Sequence, residues 1–396
     1  MKIYIIGTGM DGAETLTAKA AEIIKTADVL IGAERILKPF LSCCKAVFTS
    51  WKPEDICEFI GKSNYETAAV LMSGDCGFYS GAEKLVKALR AYETEIVCGI
   101  ASPVYFCSKI KMPWQDMNFV SLHGTNGNII RNICRSKYCF FLLGGDIAPA
   151  DICRKICEYK LENISVYIGE DLALENEKIY FGKAQEFTEI ICSKLCVMVT
   201  ENPNYEHGIL CGIADSEFIR GNIPMTKSEV RSVVISKLNI GADDLCWDVG
   251  CGTGSVSVEM AMQCYNSTVF SVDKNAVAID LTMKNRHKFD CDNISVFHGN
   301  APECLIDLPA PDKVFIGGSC GKTEEIIGTV YKKNPNADIV ITAVSLETLE
   351  ASVNALKSLE ITPEIVQTAV TRGNKIGSHT MFAAENPVFI IKGVRK

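Results

Sequence analysis

The 396-residue sequence has no apolar run approaching the ~20 residues that cross a bilayer, and only Ile3 to Ile6 precede Gly7, too little for a secretory signal core. No membrane partner is expected, and the cytoplasm is the expected compartment. Positive charge is not in excess either. Forty Lys and Arg face 48 Asp and Glu, a formal charge of -8, which argues against nucleic acid as a bulk partner. There is no Cys-x-x-Cys. The 19 cysteines, including Cys153/Cys157 and Cys192/Cys196, each pair separated by three residues, read as reduced, mostly buried small residues. His123, His207, His287, His298 and His379 lack metal-ligand spacing, so no metal is expected. What remains is a chain that is 47% hydrophobic and 22% charged, long enough for two packed domains.

Its central feature is Asp248-Val249-Gly250-Cys251-Gly252-Thr253-Gly254-Ser255, between the apolar run Leu245-Cys246-Trp247 and a helical stretch from Ser255 to Met262. A strand that turns through alternate glycines into a helix lets a ligand reach main-chain N–H groups that a Cβ would block. The run Thr268 to Val272 reads as the next strand. It ends at Asp273, about 20 residues after the glycines, where a Rossmann-type unit places the acid that holds two ribose hydroxyls. An acid just before the first glycine, without Gly-x-Gly-x-x-Gly, favours S-adenosylmethionine (SAM) over a dinucleotide.

Upstream, Lys2 to Ile6 is a short strand followed by the glycine-rich turn Gly7 to Gly12. A helix carries Leu16, Ala20, Ile23, Ile24 and Ala27 on one face. Strands recur at Val29 to Ile31, Val70 to Met72, Glu95 to Cys98 and Phe140 to Leu143, and several end in polar or glycine-rich loops, the expected ligand side of an α/β sheet. Residues 201–222 read as a linker. A helix is expected from Thr226, with Glu229 completing a capping box and Lys227 and Arg231 sharing a face. Antiparallel pairing is expected between Ile361–Val370 and Met381–Ile391.

Two resemblances organise these pieces. Ile223 to Arg231, the glycine turn, Gly299-Asn300-Ala301-Pro302-Glu303, Phe315-Ile316-Gly317-Gly318-Ser319 and Asn386-Pro387-Val388 resemble the carbon-15, decarboxylating methyltransferases of cobalamin biosynthesis. Gly32 to Arg35, Ser73 to Ser80, Gly99 to Pro103, Gly144 to Ala150 and Gly169 to Leu172 resemble the tetrapyrrole methylase family, specifically its carbon-5 methyltransferases. Cys76 stands where that family commonly has proline.

These resemblances imply an α/β chain with a two-lobed tetrapyrrole methylase (class III) domain over 1–200 and a class I Rossmann-like methyltransferase domain over 223–396. They imply one SAM per domain and a precorrin or cobalt-precorrin substrate, methylated at carbons 5 and 15 with loss of the ring C acetate carboxyl. By resemblance, the second cofactor site comprises Thr226, Asp248, Gly250, Gly252, Gly254, Asp273, Asn300 and Ala301. The first comprises Gly74, Asp75, Phe78, Ala101, Ser102 and Gly144. Gly7 and Gly9 would border the tetrapyrrole trough. Lys227, Arg231, Lys322, Arg372 and Lys375 would meet substrate carboxylates, with Lys227, Arg231, Arg372 and His379 as positioning candidates. Relatives of the second domain suggest a homo-oligomer, possibly a tetramer. An RNA or protein methyltransferase and a non-catalytic SAM-binding scaffold are the alternative classes.

Overall fold

The computed structural model describes residues 1–10, 13–42, 46–122, 128–206 and 211–395. His123, His207 and the Asp11-Gly12 end of the first glycine turn lie outside the described residues. The chain forms two compact units, Met1–Asn126 with Ser136–Asn204, and Gly127–Arg135 with Tyr205–Lys396.

The first unit holds two five-stranded sheets. In one, β1 (Lys2–Gly7), β2 (Val29–Gly32), β3 (Val47–Thr49), β4 (Thr67–Met72) and β5 (Glu93–Val97) run parallel in the order β3-β2-β4-β1-β5. In the other, β6 (Asn118–Ser121), β7 (Tyr138–Leu142), β8 (Ser165–Glu170), β9 (Lys178–Lys183) and β10 (Cys196–Glu201) are ordered β6-β7-β10-β8-β9, with β10 antiparallel to both of its neighbours. Ile3 and Ile5 of β1 pack into one apolar cluster and Ile6 into another, so this parallel sheet is buried on both faces.

The second unit is built on a seven-stranded sheet of order β13-β12-β11-β14-β15-β19-β16. Its strands are β11 (Cys246–Val249), β12 (Val269–Asp273), β13 (Ile294–His298), β14 (Lys313–Ile316), β15 (Asp338–Ala343), β16 (Thr362–Thr368) and β19 (Val388–Val394). β17 (Thr371–Ile376) and β18 (His379–Ala384) form a separate hairpin. Val314 and Ile316 of β14 face one core while Phe315 faces the other, and β15 divides Ile339 and Ile341 from Val340 in the same way. Sandwiching between helices therefore explains why these strands read as unbroken apolar runs. The sheet reverses order between β11 and β14, which opens a crevice at their C-terminal ends.

Three expectations change. The run Met381–Ile391 is not one strand: it breaks at Glu385–Pro387, because proline fixes φ and brings no N–H to a ladder, and only β19 pairs with β16. Residues 213–219 are not a loose linker but pack into the second unit, where Phe218 is buried. The helix Ile129–Cys134 also belongs to that unit, and the N–H groups of Ile129, Ile130 and Arg131 donate to the Asp292 carboxylate at 2.9–3.0 Å. No described helix is long and apolar enough to cross a membrane.

Candidate functional sites

A cavity of about 870 Å³ opens at the crevice of the second unit. Its wall includes Ile223 to Lys227, Gly250 to Gly252, Asp273, Asn300, Ala301, Gly317 to Cys320 and Asn386. Gly250 and Gly252 adopt φ of +78° and +59°, in the left-handed region that a Cβ penalises. Close approach adds a second constraint, since a Cβ on Gly250 would lie 2.7 Å from the Gly318 nitrogen. Asp273 ties the turn to the end of β12: one carboxylate oxygen accepts from Gly252 N–H at 3.0 Å and the other from Asn275 N–H at 2.8 Å. Each oxygen keeps a lone pair, so the carboxylate can accept two further hydroxyls. Open main chain, a fixed acid and an amide at the end of β13 fit a nucleoside-bearing cofactor.

Several expected site residues stand elsewhere. Arg231 is fully buried. Its Nε donates to Glu259 at 2.5 Å, Nη1 to the Thr226 carbonyl at 2.6 Å and Nη2 to the Ile213 carbonyl, which leaves it no face for a substrate carboxylate. The helix runs Ser228–Leu238 with Lys227 at its N-cap and no side-chain cap, so Thr226 closes no capping box; Glu229 turns to Ser228 Oγ and Arg372 instead. Thr226 and Lys227 do line the cavity. Asp248 is fully buried below the turn rather than in the cavity wall, with Ser257 Oγ 2.5 Å from its Oδ2. Gly254 is the N-cap of the helix Ser255–Gln263, where its missing Cβ makes room for Thr282. Arg372 pairs with Glu385 at 2.7 Å and Glu229 at 2.5 Å, and Lys322 with Glu303 at 2.5 Å. Lys375 and His379 sit exposed on the hairpin, outside the cavity wall.

Burial pushes the Asp248 carboxyl up to about 7, helped by the nearby charge of Asp273 and opposed by the bond from Ser257. The acid is thus favoured neutral in the fold and charged in the unfolded chain. Its contribution to stability is complete below about pH 4 and is lost as pH rises through about 7. Urea unfolding of the wild type should show that decline, and Asp248→Asn should flatten it; an unchanged slope in the variant would assign the decline to other groups.

The first unit has its own cavity, of about 650 Å³, at the C-terminal ends of β2 and β4. Gly74, Asp75, Phe78, Ser102 and Gly144 line it, as expected. Asp75 shapes the loop by accepting from Gly77 N–H at 2.8 Å and Gly99 N–H at 2.9 Å. Ala101 is instead the buried N-cap of the helix Ser102–Lys109. Gly7 and Gly9 also lie off the wall. They press on the Gly74 loop from behind: Gly9 bridges Gly74, and a Cβ on Gly7 would lie 2.6 Å from the Gly74 oxygen. Trp51, Arg35, Tyr79 and Lys194 line this cavity without having been expected to. The only sequence signal for Trp51 is a large aromatic inside the polar stretch Ser50-Trp51-Lys52.

Comparisons with known proteins follow the same division. Residues 217–395 match the precorrin methyltransferase domain, and residues 2–188 match the tetrapyrrole (corrin/porphyrin) methylases. The probable cobalt-precorrin-6B C(15)-methyltransferase (decarboxylating) of Pyrobaculum calidifontis is 43% identical over 183 residues, 46% of this chain and 94% of that protein. Its counterpart in Saccharolobus solfataricus is 39% identical over 191 residues, 47% of this chain and 96% of its own. Among solved structures, the precorrin-6y C5,15-methyltransferase of Geobacter metallireducens shares 37% identity over 47% of this chain and 97% of its own, with a TM-score of 0.45. With a relative this similar across nearly its whole length, and with the first half matching the other methylase family, the chain belongs to the precorrin methyltransferases of cobalamin biosynthesis and carries a tetrapyrrole methylase domain ahead of its precorrin methyltransferase domain.

Proposed function

We propose that the chain is a bifunctional SAM-dependent methyltransferase that acts on precorrin-6B or cobalt-precorrin-6B. The second unit methylates carbon 15 and releases the ring C acetate carboxyl as carbon dioxide; the first methylates carbon 5. The observation that carries this reading is the presence of two separate cavities, each at the C-terminal ends of parallel strands and each bounded by a glycine-rich turn.

SAM supplies an electrophilic methyl group when bound. The residues of the chain have the tasks of binding, alignment and water exclusion. In the second unit, Gly250 and Gly252 offer main-chain approach, Asp273 accepts the ribose hydroxyls, and Asn300 accepts the adenine amino group through its side-chain carbonyl. Lys227, on the cavity wall with its Nζ 3.9 Å from Asp215, and Lys274, on the same wall, are the cations placed to meet a substrate carboxylate. Arg231 acts one step back, holding the Thr226 carbonyl and so the wall segment itself. In the first unit, the Gly74 and Gly144 loops take the cofactor.

Mass spectrometry of the tetrapyrrole after incubation of the full chain with SAM tests the proposal. The expected product has gained two methyl groups and lost one carbon dioxide. Recovery of unaltered substrate beside an intact cofactor would reject it.

A further inference from the structure

In the first unit, two large aromatic side chains on the cavity wall are open to solvent. Trp51 is 71% exposed and Tyr79 is 55% exposed. Isolated apolar exposure is ordinary on a protein surface; two exposed aromatics lining one cavity each offer a flat apolar surface to a flat ligand. The Tyr79 ring is also fixed. Its backbone sits at φ +46°, its ring meets Phe78 edge-on at 4.9 Å, and its hydroxyl donates to the Phe119 carbonyl at 3.1 Å. A ring held by an edge contact and by its hydroxyl loses little freedom when something stacks on it.

Most of the charge around these rings is positive. Arg35 and Lys194 line the same wall, and the Lys52 ammonium lies 6.0 Å from the centre of the Trp51 ring. Asp75 is the one carboxylate among the described residues of the wall, and both of its oxygens already accept main-chain N–H groups. In a chain with a formal charge of -8, a mouth with exposed aromatics and an excess of cations suits a ligand that is flat in the middle and anionic at the edge.

We propose that Trp51 and Tyr79 form the stacking face for the tetrapyrrole macrocycle in the first unit, with Arg35 and Lys194 meeting its peripheral carboxylates. This rests on the methyltransferase reading above and adds which wall receives the substrate. The cofactor is left to the glycine loops.

The test uses the full chain and uroporphyrin III, a stable tetrapyrrole polycarboxylate. The tryptophan emission present in wild type and missing in Trp51→Leu isolates the signal of Trp51, which is exposed enough for its variants to fold. That component should be quenched by uroporphyrin III and left unchanged by S-adenosylhomocysteine. Trp51→Ala should weaken uroporphyrin binding to the first unit about tenfold, as the loss of one aromatic stacking partner does, while Trp51→Phe largely restores it. Arg35→Gln should reduce the salt dependence of that binding. Quenching by S-adenosylhomocysteine would place the cofactor on this wall and overturn the assignment, as would no quenching by uroporphyrin III. A wild-type enzyme that methylates a tetrapyrrole while Trp51 stays silent sinks this inference alone; absence of any methyl transfer sinks the function instead.

Discussion

Truncation of Arg231 to alanine is expected to cost the second unit about 3–5 kcal/mol, the usual penalty for breaking a buried ion pair from one side. Glu259, itself fully buried, would keep the Gly212 and Ile213 N–H groups but lose its counter-charge. The Thr226 and Ile213 carbonyls would lose their donor as well. For a unit of this size the loss corresponds to a fall in Tm on the order of 10 °C. The double substitution Arg231→Met with Glu259→Leu should recover only part of it, because it removes both buried charges and their desolvation cost but leaves the Gly212 and Ile213 N–H groups and the Thr226 and Ile213 carbonyls without these partners. Thermal unfolding of the two variants decides the matter. A drop of under 1 kcal/mol for Arg231→Ala would mean that water reaches the pair and that its burial is not maintained in solution.

The second large effect is expected at Asp273. A carboxylate accepting two ribose hydroxyls contributes charge-assisted hydrogen bonds of roughly 1.5–3 kcal/mol each, so Asp273→Ala should weaken cofactor binding in the second unit by about two orders of magnitude or more. Loss of the bond from Gly252 N–H adds to this, since the glycine turn is then no longer tied to β12. Calorimetry on the full chain with S-adenosylhomocysteine should resolve two sites in the wild type and only the first unit's site in the variant. Asp273→Asn, which keeps one acceptor oxygen, should fall between them. If both sites bound with unchanged affinity, the ribose would have to be held elsewhere.

Much of this architecture is legible from residue order because it depends on local rules. Strand β11, the glycine turn and Asp273 form one continuous unit whose spacing is set by backbone geometry, and the loops after β4 and β7 announce themselves by glycine. The place of Arg231 is not legible this way, because burial is not local. A Lys and an Arg four residues apart on a helix look like a solvated face until Phe218, Ile213 and Glu259 arrive from other parts of the chain to enclose the guanidinium. Asp248 is a similar case: its position before the glycines suggests a ligand contact, yet strand alternation turns it inward toward Ser257. The helix Ile129–Cys134 looks like part of the first unit by chain order, and only the carboxylate of Asp292, more than a hundred residues later, shows that its main-chain donors are satisfied in the second. Trp51 is hard to place for the opposite reason: its one signal, polar neighbours on both sides, is weak beside the usual burial of large aromatics.

The contact between the turn at Gly250 and the loop at Gly318 has a consequence for how the cavity can be reshaped. The two glycines touch, but the crowding is one-sided: a Cβ on Gly250 would strike the Gly318 main chain, whereas a Cβ on Gly318 would meet nothing within 4 Å. A side chain at position 250 is therefore excluded by the main chain opposite, whereas one at position 318 would clear the protein and project into the cavity. The cavity is thus rigid on one lip, while on the other a substitution would change the shape of what the cavity accepts rather than the fold that bounds it.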